Sequence, residues 1–402
     1  MIRRLFATLA IAASLGTLAA APAAAACRND GDFGAWLSGF RADAAAAGIS
    51  QRTIDTALAG ITFDKSVIDK DRAQKVFSQT FLEFSDRMVA DYRLKKGAEL
   101  LKKYGGTFAR IEEQFGVPGE VITAFWALET DFGANIGNMT TLRSLATLAF
   151  DCRRPDMFHE QLIDALKIID RGDLRAEEMR GPWAGELGQL QFLPSHYLDY
   201  AVDFDGDGRR DLLKSSPDAV ASAGHYLSKL GWRRGEPWLE EVRAPASLDW
   251  AEADLAIEHS RAEWAAMGVT GADGRPIAAD GMKASLLLPM GKDGPAFLAY
   301  PNFRVYFEWN QSLVYSTTAA YLATRYTGAG KVRRGNGAES LSFAEIKELQ
   351  QRLHDSGLDV GGIDGFIGEK TRAAVKTVQR EAGLAADSWP TPALLARLRA
   401  GK

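Results

Sequence analysis

Cysteine is nearly absent. Cys27 and Cys152 are the only two in 402 residues, which leaves room for one disulfide and no disulfide framework. An excess of charge of one sign is also lacking. Lys and Arg total 48 against 52 Asp and Glu, a formal net charge of −4, so there is no global basic field and nucleic acid is excluded as the expected partner. Beyond the N-terminal segment no stretch reaches the ~18 uninterrupted apolar residues that a spanning helix needs, so no stable membrane span is expected there. Strand-like alternation is scarce from Asp32 to about Tyr326, where helical spacing dominates. The remaining composition, 46% hydrophobic and 25% charged, is that of an ordinary globular protein. The length suffices for two or more domains.

Residues 1–26 read as an export signal. Arg3 and Arg4 form a charged start, Leu5 to Ala21 an apolar core, and Ala24, Ala25 and Ala26 a small-residue cleavage region. In a bacterium this points to a soluble periplasmic protein. In an oxidising compartment a disulfide between Cys27 and Cys152 is the first expectation. A lipid-modified Cys27, for which Ala24 is a poor match, and two free buried thiols are the alternatives.

The mature chain divides in two. "RADAAAAGISQRTIDTALAG" reads as two short helices broken at Gly48, and Ser66 to Tyr104 as a long helical pattern. "NFRVYFEWN", 302 to 310, alternates Phe303, Val305 and Phe307 and reads as a strand or an extended segment. The polar, glycine-rich stretch 327–340 reads as a linker. It separates a catalytic region, 27–326, from a small unit, 341–402, with three helical patterns. A domain of that size has a modest core and suits binding better than catalysis. The fold expected is mainly α with minor β, followed by a three-helix C-terminal domain.

One acid stands out. Pro118 suits the first turn of a helix, and Val121, Ile122, Phe125 and Leu128 follow at helical spacing. Glu129 lies four residues after Phe125, seven after Ile122 and eight after Val121, on the same face. Apolar neighbours disfavour its charged form, and so does the C-terminal end of the helix dipole. A carboxylic acid still protonated near neutral pH is the donor that glycosidic cleavage requires. The competing reading is a structural acid, exposed or paired with an arginine.

"WALETDFG", "FDCRRPDMFHEQL", "GPWAGELGQLQFLPSHYLDYAVDFDGDGRRDLL" and "GPAFLAYPNFRVYFEWNQSLVY" occur in that order over roughly residues 32 to 326. Together they resemble the membrane-bound lytic murein transglycosylase B family. The resemblance implies a lysozyme-like helical fold and cleavage of the β-1,4 bond between N-acetylmuramic acid and N-acetylglucosamine in peptidoglycan. It implies closure of a 1,6-anhydro ring by the muramyl 6-hydroxyl, with Glu129 as the one acid and base and no cofactor required. A hydrolytic muramidase and a non-enzymatic wall-binding scaffold are the alternatives.

By the same resemblance, Arg153 and Arg154 match an arginine pair at the cleft, unless they simply pair with Asp151 or Asp156. Gln191 and Phe192 match "GQF" positions, here preceded by Leu190. Tyr226 matches a cleft tyrosine and Asn310 a family asparagine. Trp309 and Phe84 stand where tyrosines are common. Pro182 replaces the serine of "SWAGAMG", a residue that would orient the substrate's acetamido group.

In "DFDGDGRRD", Asp203, Asp205 and Asp207 fall at positions 1, 3 and 5 of an EF-hand-like loop, with Gly208 at the turn. Lys214 occupies position 12, so Asp218 is the acid that would close a longer loop around a structural Ca²⁺. The family carries a similar loop associated with Ca²⁺. Finally, "DGFIGEKTRAAVKTVQ" resembles the peptidoglycan-binding domain 1 family, which would tether the enzyme to its polymer. Peptidoglycan is thus the implied partner, with other cell-wall enzymes as further candidates.

Overall fold

The computed structural model describes residues 31–73 and 79–401. The export signal, Cys27 and residues 74–78 lie outside the described residues. The helix Gly119–Thr130 is the hub: Val121 to Ala127 are all buried. A helix apolar on every side has to be surrounded, and this one is. Asp91–Lys103, Gly105–Phe115, Ser216–Lys229 and Leu313–Tyr326 pack around it. Phe125 reaches past its own helix to meet the Tyr306 and Trp309 rings at 4.9 and 4.5 Å.

Local chemistry sets the helix starts. Thr80 and Glu83 form a capping box, as do Ser342 and Glu345, each satisfying amide donors that a helix N-terminus leaves free. The first two helices, Phe33–Ala46 and Gln51–Ala57, break around Gly48 as expected. The Ser66–Tyr104 pattern is instead divided into helices Lys65–Arg72, Phe81–Met88 and Asp91–Lys103.

"NFRVYFEWN" is neither strand nor extended. Pro301–Trp309 is an α-helix with its proline at the first turn. Phe303 and Tyr306, three apart, are buried, whereas Phe307 is only partly so. The period-2 reading fails because it counted residue types and not which ones reach the core.

A five-stranded antiparallel sheet lies where alternation gave no signal. Its order is His259–Ser260, Lys283–Leu287, Ala296–Ala299, Leu239–Arg243, Thr270–Gly271. Ala296–Ala299 is buried at all four positions, and a strand covered on both faces shows no alternation. Around this sheet Trp264, Leu286, Leu298 and Tyr300 form a second core.

The C-terminal helices Phe343–Asp355, Glu369–Glu381 and Pro392–Arg399 enclose Leu349, Leu353, Val375, Leu394 and Leu395. This unit docks on the sheet-bearing part. Lys376 pairs with Asp254 at 2.8 Å, and Arg372 donates to the Leu288 carbonyl at 2.8 Å. Residues 327–340 are tied along their course: the Val332 amide donates to the Tyr321 hydroxyl at 2.8 Å and the Arg333 amide to Glu241 at 2.9 Å.

A short strand pair, Met139–Thr140 with Arg180–Gly181, joins the region after the hub helix to the loop that begins at Pro182. Gly137 has φ of +87°, and a Cβ there would fall 2.3 Å from the Gly181 carbonyl carbon. Both the backbone angle and the space forbid a side chain. Gly137→Ala should therefore destabilise the protein by about 2 kcal/mol or more, read as an earlier denaturant midpoint with unchanged slope.

Candidate active site

Glu129 sits in the last turn of the hub helix. The helix ends because Asp131 and Phe132 both turn left-handed, with φ of 55° and 63°. Two such residues in succession cost energy and persist only where the surroundings hold them. Here Arg93 pairs with Asp131 at 3.0 Å. The buried Thr130 hydroxyl donates to the Gln189 carbonyl at 2.5 Å and accepts the Gly133 amide at 2.8 Å. The end of the helix is thereby bonded to the loop Pro182–Leu193, the opposite wall of a cavity of about 430 Å³.

That loop is a tight structure. Leu187 and Phe192 exchange backbone hydrogen bonds at 2.8 and 2.9 Å. Gln191 is held at φ +53°. Its amide nitrogen donates to the Gly188 carbonyl at 3.0 Å and to Ile136 at 3.4 Å, so the side-chain carbonyl is what it has left to offer a ligand. Phe192, Tyr226 and Trp309 form the aromatic floor, with ring centroids 5.3 to 5.7 Å apart. Tyr200 stacks behind Tyr226 at 4.5 Å.

The partners of Glu129 are an indole and a phenol, not an arginine. Trp309 Nε1 donates to Oε1 at 3.0 Å and the Tyr315 hydroxyl to the same oxygen at 2.5 Å. Burial pushes the carboxyl group above its usual range, and the two hydrogen bonds oppose this only in part. Both donors converge on Oε1, so the proton of the neutral acid falls on Oε2. The group is thus an acid whose surroundings favour its protonated form, beside an open cleft, with two donors in place to receive the anion it becomes.

Seven of the residues expected at the site line this one cavity: Glu129, Arg154, Gln191, Phe192, Tyr226, Trp309 and Asn310. Pro182 lines it too. Phe84 does not; it lines a neighbouring groove of about 560 Å³, which Asn310 and Tyr315 also border. Arg153 lines neither. Asp151 and Asp156 are not the side-chain partners of the arginine pair. Both guanidinium groups reach Asp71 Oδ1 at 2.7 Å, while Asp151 takes Arg72 at 2.9 Å. Burial alone would lift the Asp71 carboxyl group, but hydrogen bonds from Arg153 and Arg154 overcome it and hold it below the ordinary range. Asp71 thus anchors the pair, and Arg154 keeps its place at the cleft edge over the Phe158 ring.

Three cavity or near-cavity groups escaped the motif reading. Tyr315 closes the quoted run "EWNQSLVY", but nothing in its spacing shows that it reaches Glu129. His196 faces Tyr226, its Nε2 3.4 Å from the hydroxyl. Glu186 is an acid inside the apolar, glycine-rich "WAGELGQLQF", the same kind of signal that singled out Glu129. It lines the cavity, and burial, reinforced by the Glu129 charge, pushes it up to about 6.

In the acidic loop Asp203, Asp205 and Asp218 bring carboxylate oxygens within 4.8 Å of one another, which suits oxygens at opposite sides of one Ca²⁺ at ~2.4 Å each. Asp207 is not part of this group; its Oδ1 accepts the Arg209 amide at 2.8 Å. Lys214, at the position where a bidentate Glu would be expected, pairs with Glu178 at 2.6 Å. Cys152 is not a free thiol, but its expected partner Cys27 lies outside the described residues.

A helical domain with an open, aromatic-floored cleft centred on a half-buried acid belongs to the lysozyme-like class. The model of the transglycosylase SLT domain family matches residues 32–324, and the chain belongs to that family. A peptidoglycan-binding domain family matches residues 344–398. The chain is similar to SltB3 of Pseudomonas aeruginosa in complex with NAG-anhNAM-pentapeptide, at 41% identity and a TM-score of 0.86, over 92% of this chain and 99% of that one. It is similar to the Escherichia coli lytic transglycosylase Slt35 in complex with calcium, at 26% identity and a TM-score of 0.61, over 72% of this chain and 92% of that one. Membrane-bound lytic murein transglycosylase B of Escherichia coli K12 is 28% identical over 59% of this chain and 64% of its own length, a little under two thirds of that curated relative.

A raised acid has a stability consequence. Folded protein holds the Glu129 proton to higher pH than unfolded chain does, so ionising it costs stability as pH rises above the unfolded value, 4.5. Glu129→Gln cannot ionise. It should melt at a higher temperature than wild type near pH 8, with the difference shrinking toward pH 4, as measured by thermal denaturation across that range.

Proposed function

We propose that the chain is a lytic murein transglycosylase that cuts the β-1,4 bond between N-acetylmuramic acid and N-acetylglucosamine and leaves a 1,6-anhydromuramic end. The single observation that carries this is Glu129: one carboxyl group on the face of an aromatic-floored groove, held toward its protonated form by burial, with donors ready for its anion. Family membership supports the same reading, as do the relatives, among them a lytic murein transglycosylase and a protein bound to an anhydro-sugar peptide.

Glu129 Oε2 gives its proton to the glycosidic oxygen as the C1–O bond breaks, and the N-acetylglucosamine side leaves as an alcohol. The positive charge at muramyl C1 is taken up by the substrate's own acetamido carbonyl. Trp309 and Tyr315 hold the new carboxylate by donating to Oε1. That carboxylate removes the proton from the muramyl 6-hydroxyl, whose oxygen bonds to C1. The acid is restored and no water is consumed. Arg154 offers positive charge to the substrate's carboxylates, Gln191 its amide carbonyl, and Phe192, Tyr226 and Trp309 faces for sugar rings. Arg153 contributes by fixing Asp71. Phe84 and Asn310 border the adjoining groove, where the strand continues.

The C-terminal unit raises the local concentration of the polymer. Export by residues 1–26 and a Cys27–Cys152 bridge fit a periplasmic enzyme. Asp203, Asp205 and Asp218 hold a structural Ca²⁺ in this reading; the ion neutralises clustered acids and pins the loop behind the cleft, and it takes no part in the bond cleavage.

Glu129→Gln should lower the release of muropeptides from purified sacculi by about 10²–10⁴-fold while the protein stays folded. Wild-type products should be one water lighter than hydrolytic ones by mass spectrometry. Normal digestion by the variant, or products of hydrolytic mass, would sink the assignment. Calcium added to chelator-treated protein should raise the melting temperature, and Asp203→Asn should abolish that rise; identical melting with and without the ion would remove the site.

A further inference from the structure

The mechanism has no use for Gln189, yet every polar group it carries is engaged. The residue is buried, in the loop that faces Glu129. Its backbone amide donates to the Leu212 carbonyl at 2.9 Å and its side-chain nitrogen to the Leu213 carbonyl at 3.2 Å. Its side-chain oxygen accepts the Ser216 hydroxyl at 3.3 Å. Its backbone carbonyl accepts the Thr130 hydroxyl. The chain after Glu129 presses on the same residue: a Cβ at Gly133 would fall 2.8 Å from Gln189 Oε1.

The segment on the far side of Gln189 is anchored in the aspartate loop. Asp211 Oδ1 accepts the Leu213 and Lys214 amides at 3.1 and 2.9 Å. The Asp211 amide donates to Asp218 Oδ2 at 2.9 Å, and Asp218 Oδ1 accepts the Phe204 and Asp205 amides at 2.8 and 3.2 Å. On the near side, Thr130 follows Glu129 in the last turn of the hub helix. The carbonyls of a last turn have no partner further along the helix, so its hold has to come from outside. Glu129 Oε1 must meet Trp309 Nε1 and the Tyr315 hydroxyl together, and a displacement of about 1 Å at a reacting group costs on the order of a hundredfold in rate.

We propose that Gln189 is a positioning residue for Glu129: through Thr130 it clamps the end of the hub helix to segment 212–216, and so to the aspartate loop behind the cleft. Order in that loop then sets where the catalytic carboxyl group stands when the glycosidic oxygen arrives. Gln189 does not line the cavity, so its effect falls on the chemical step and not on the hold on substrate. This inference rests on the proposed transglycosylase reading, and its failure is separable from the failure of that reading.

The test is kcat and KM on soluble glycan strands for wild type, Gln189→Met, Thr130→Val, Thr130→Ser, Asp218→Asn and Glu129→Gln, each checked for folding at the assay temperature by thermal denaturation. Gln189→Met keeps the length and loses both side-chain hydrogen bonds; Thr130→Val keeps the shape and loses the hydroxyl. Each should lower kcat about tenfold or more with KM within about twofold of wild type. Thr130→Ser retains the hydroxyl and should keep about half of the wild-type kcat or more. Asp218→Asn should lower kcat by itself, and Gln189→Met combined with it should be no slower than Gln189→Met alone, because both interrupt one connection. If Gln189→Met does not fold, Ser216→Ala takes its place, with a smaller fall in the same direction. Unchanged kcat in Gln189→Met, a loss that falls on KM, equal losses in Thr130→Val and Thr130→Ser, or losses that multiply in the double variant overturn the proposal. If Glu129→Gln is inactive while Gln189→Met works as wild type, this inference alone fails. If Glu129→Gln cleaves the strands, the functional reading fails with it.

Discussion

A carboxyl group kept in surroundings that disfavour its charge is the constraint on which the rest of this structure depends. Glu129 gains its reactivity from the apolar hub helix and from a cleft wall only a few ångströms away. Either alone would be insufficient. An acid on a lone helix end would be solvated and ionised, and an acid fully enclosed could reach no substrate. The solution is to end the helix abruptly at Asp131 and bond its last turn to the loop through Thr130 and Gln189. The left-handed pair Asp131 and Phe132 is the strain this costs, and Arg93 helps to hold it.

The same logic extends outward in layers. Tyr315 and Trp309 come from a segment some 180 residues further along the chain. Their donors give the Glu129 anion a place to exist briefly, which a group that gives and then retrieves one proton requires. Asp71 gathers Arg153 and Arg154 so that one guanidinium faces the cleft while the other braces the carboxylate that orients it. The small C-terminal unit is ion-paired and hydrogen-bonded to the sheet-bearing part and lines the groove that Tyr315 also borders. It and the groove beside the cleft are built as one surface.

Much of this was legible in the chain. Capping residues, glycine breaks and the apolar spacing around Glu129 are local features, and local backbone chemistry acts wherever the residues occur. The helices of the C-terminal unit follow from such signals. So does the inward direction of Glu129, because helical geometry alone sets which positions share a face. What misled was pattern without burial. "NFRVYFEWN" alternates in residue type but folds as a helix, since Pro301 starts one and the core takes Phe303 and Tyr306. The five-stranded sheet left little alternating trace because two of its inner strands, Lys283–Leu287 and Ala296–Ala299, are buried at nearly every position.

The sequence by itself determined that a helical chain would present one acid on an apolar helix face, followed by a cluster of aspartates and a small helical appendage. These depend on neighbours within a turn or two of the backbone. Only the tertiary structure decided that Asp71, and not Asp151 or Asp156, would bind the arginine pair, that Tyr315 and Trp309 would meet on Glu129, and that Glu186 would enter the same cavity. Those contacts join residues tens to hundreds of positions apart. Their distances are set by how the helices and loops pack, and no spacing along the chain records that.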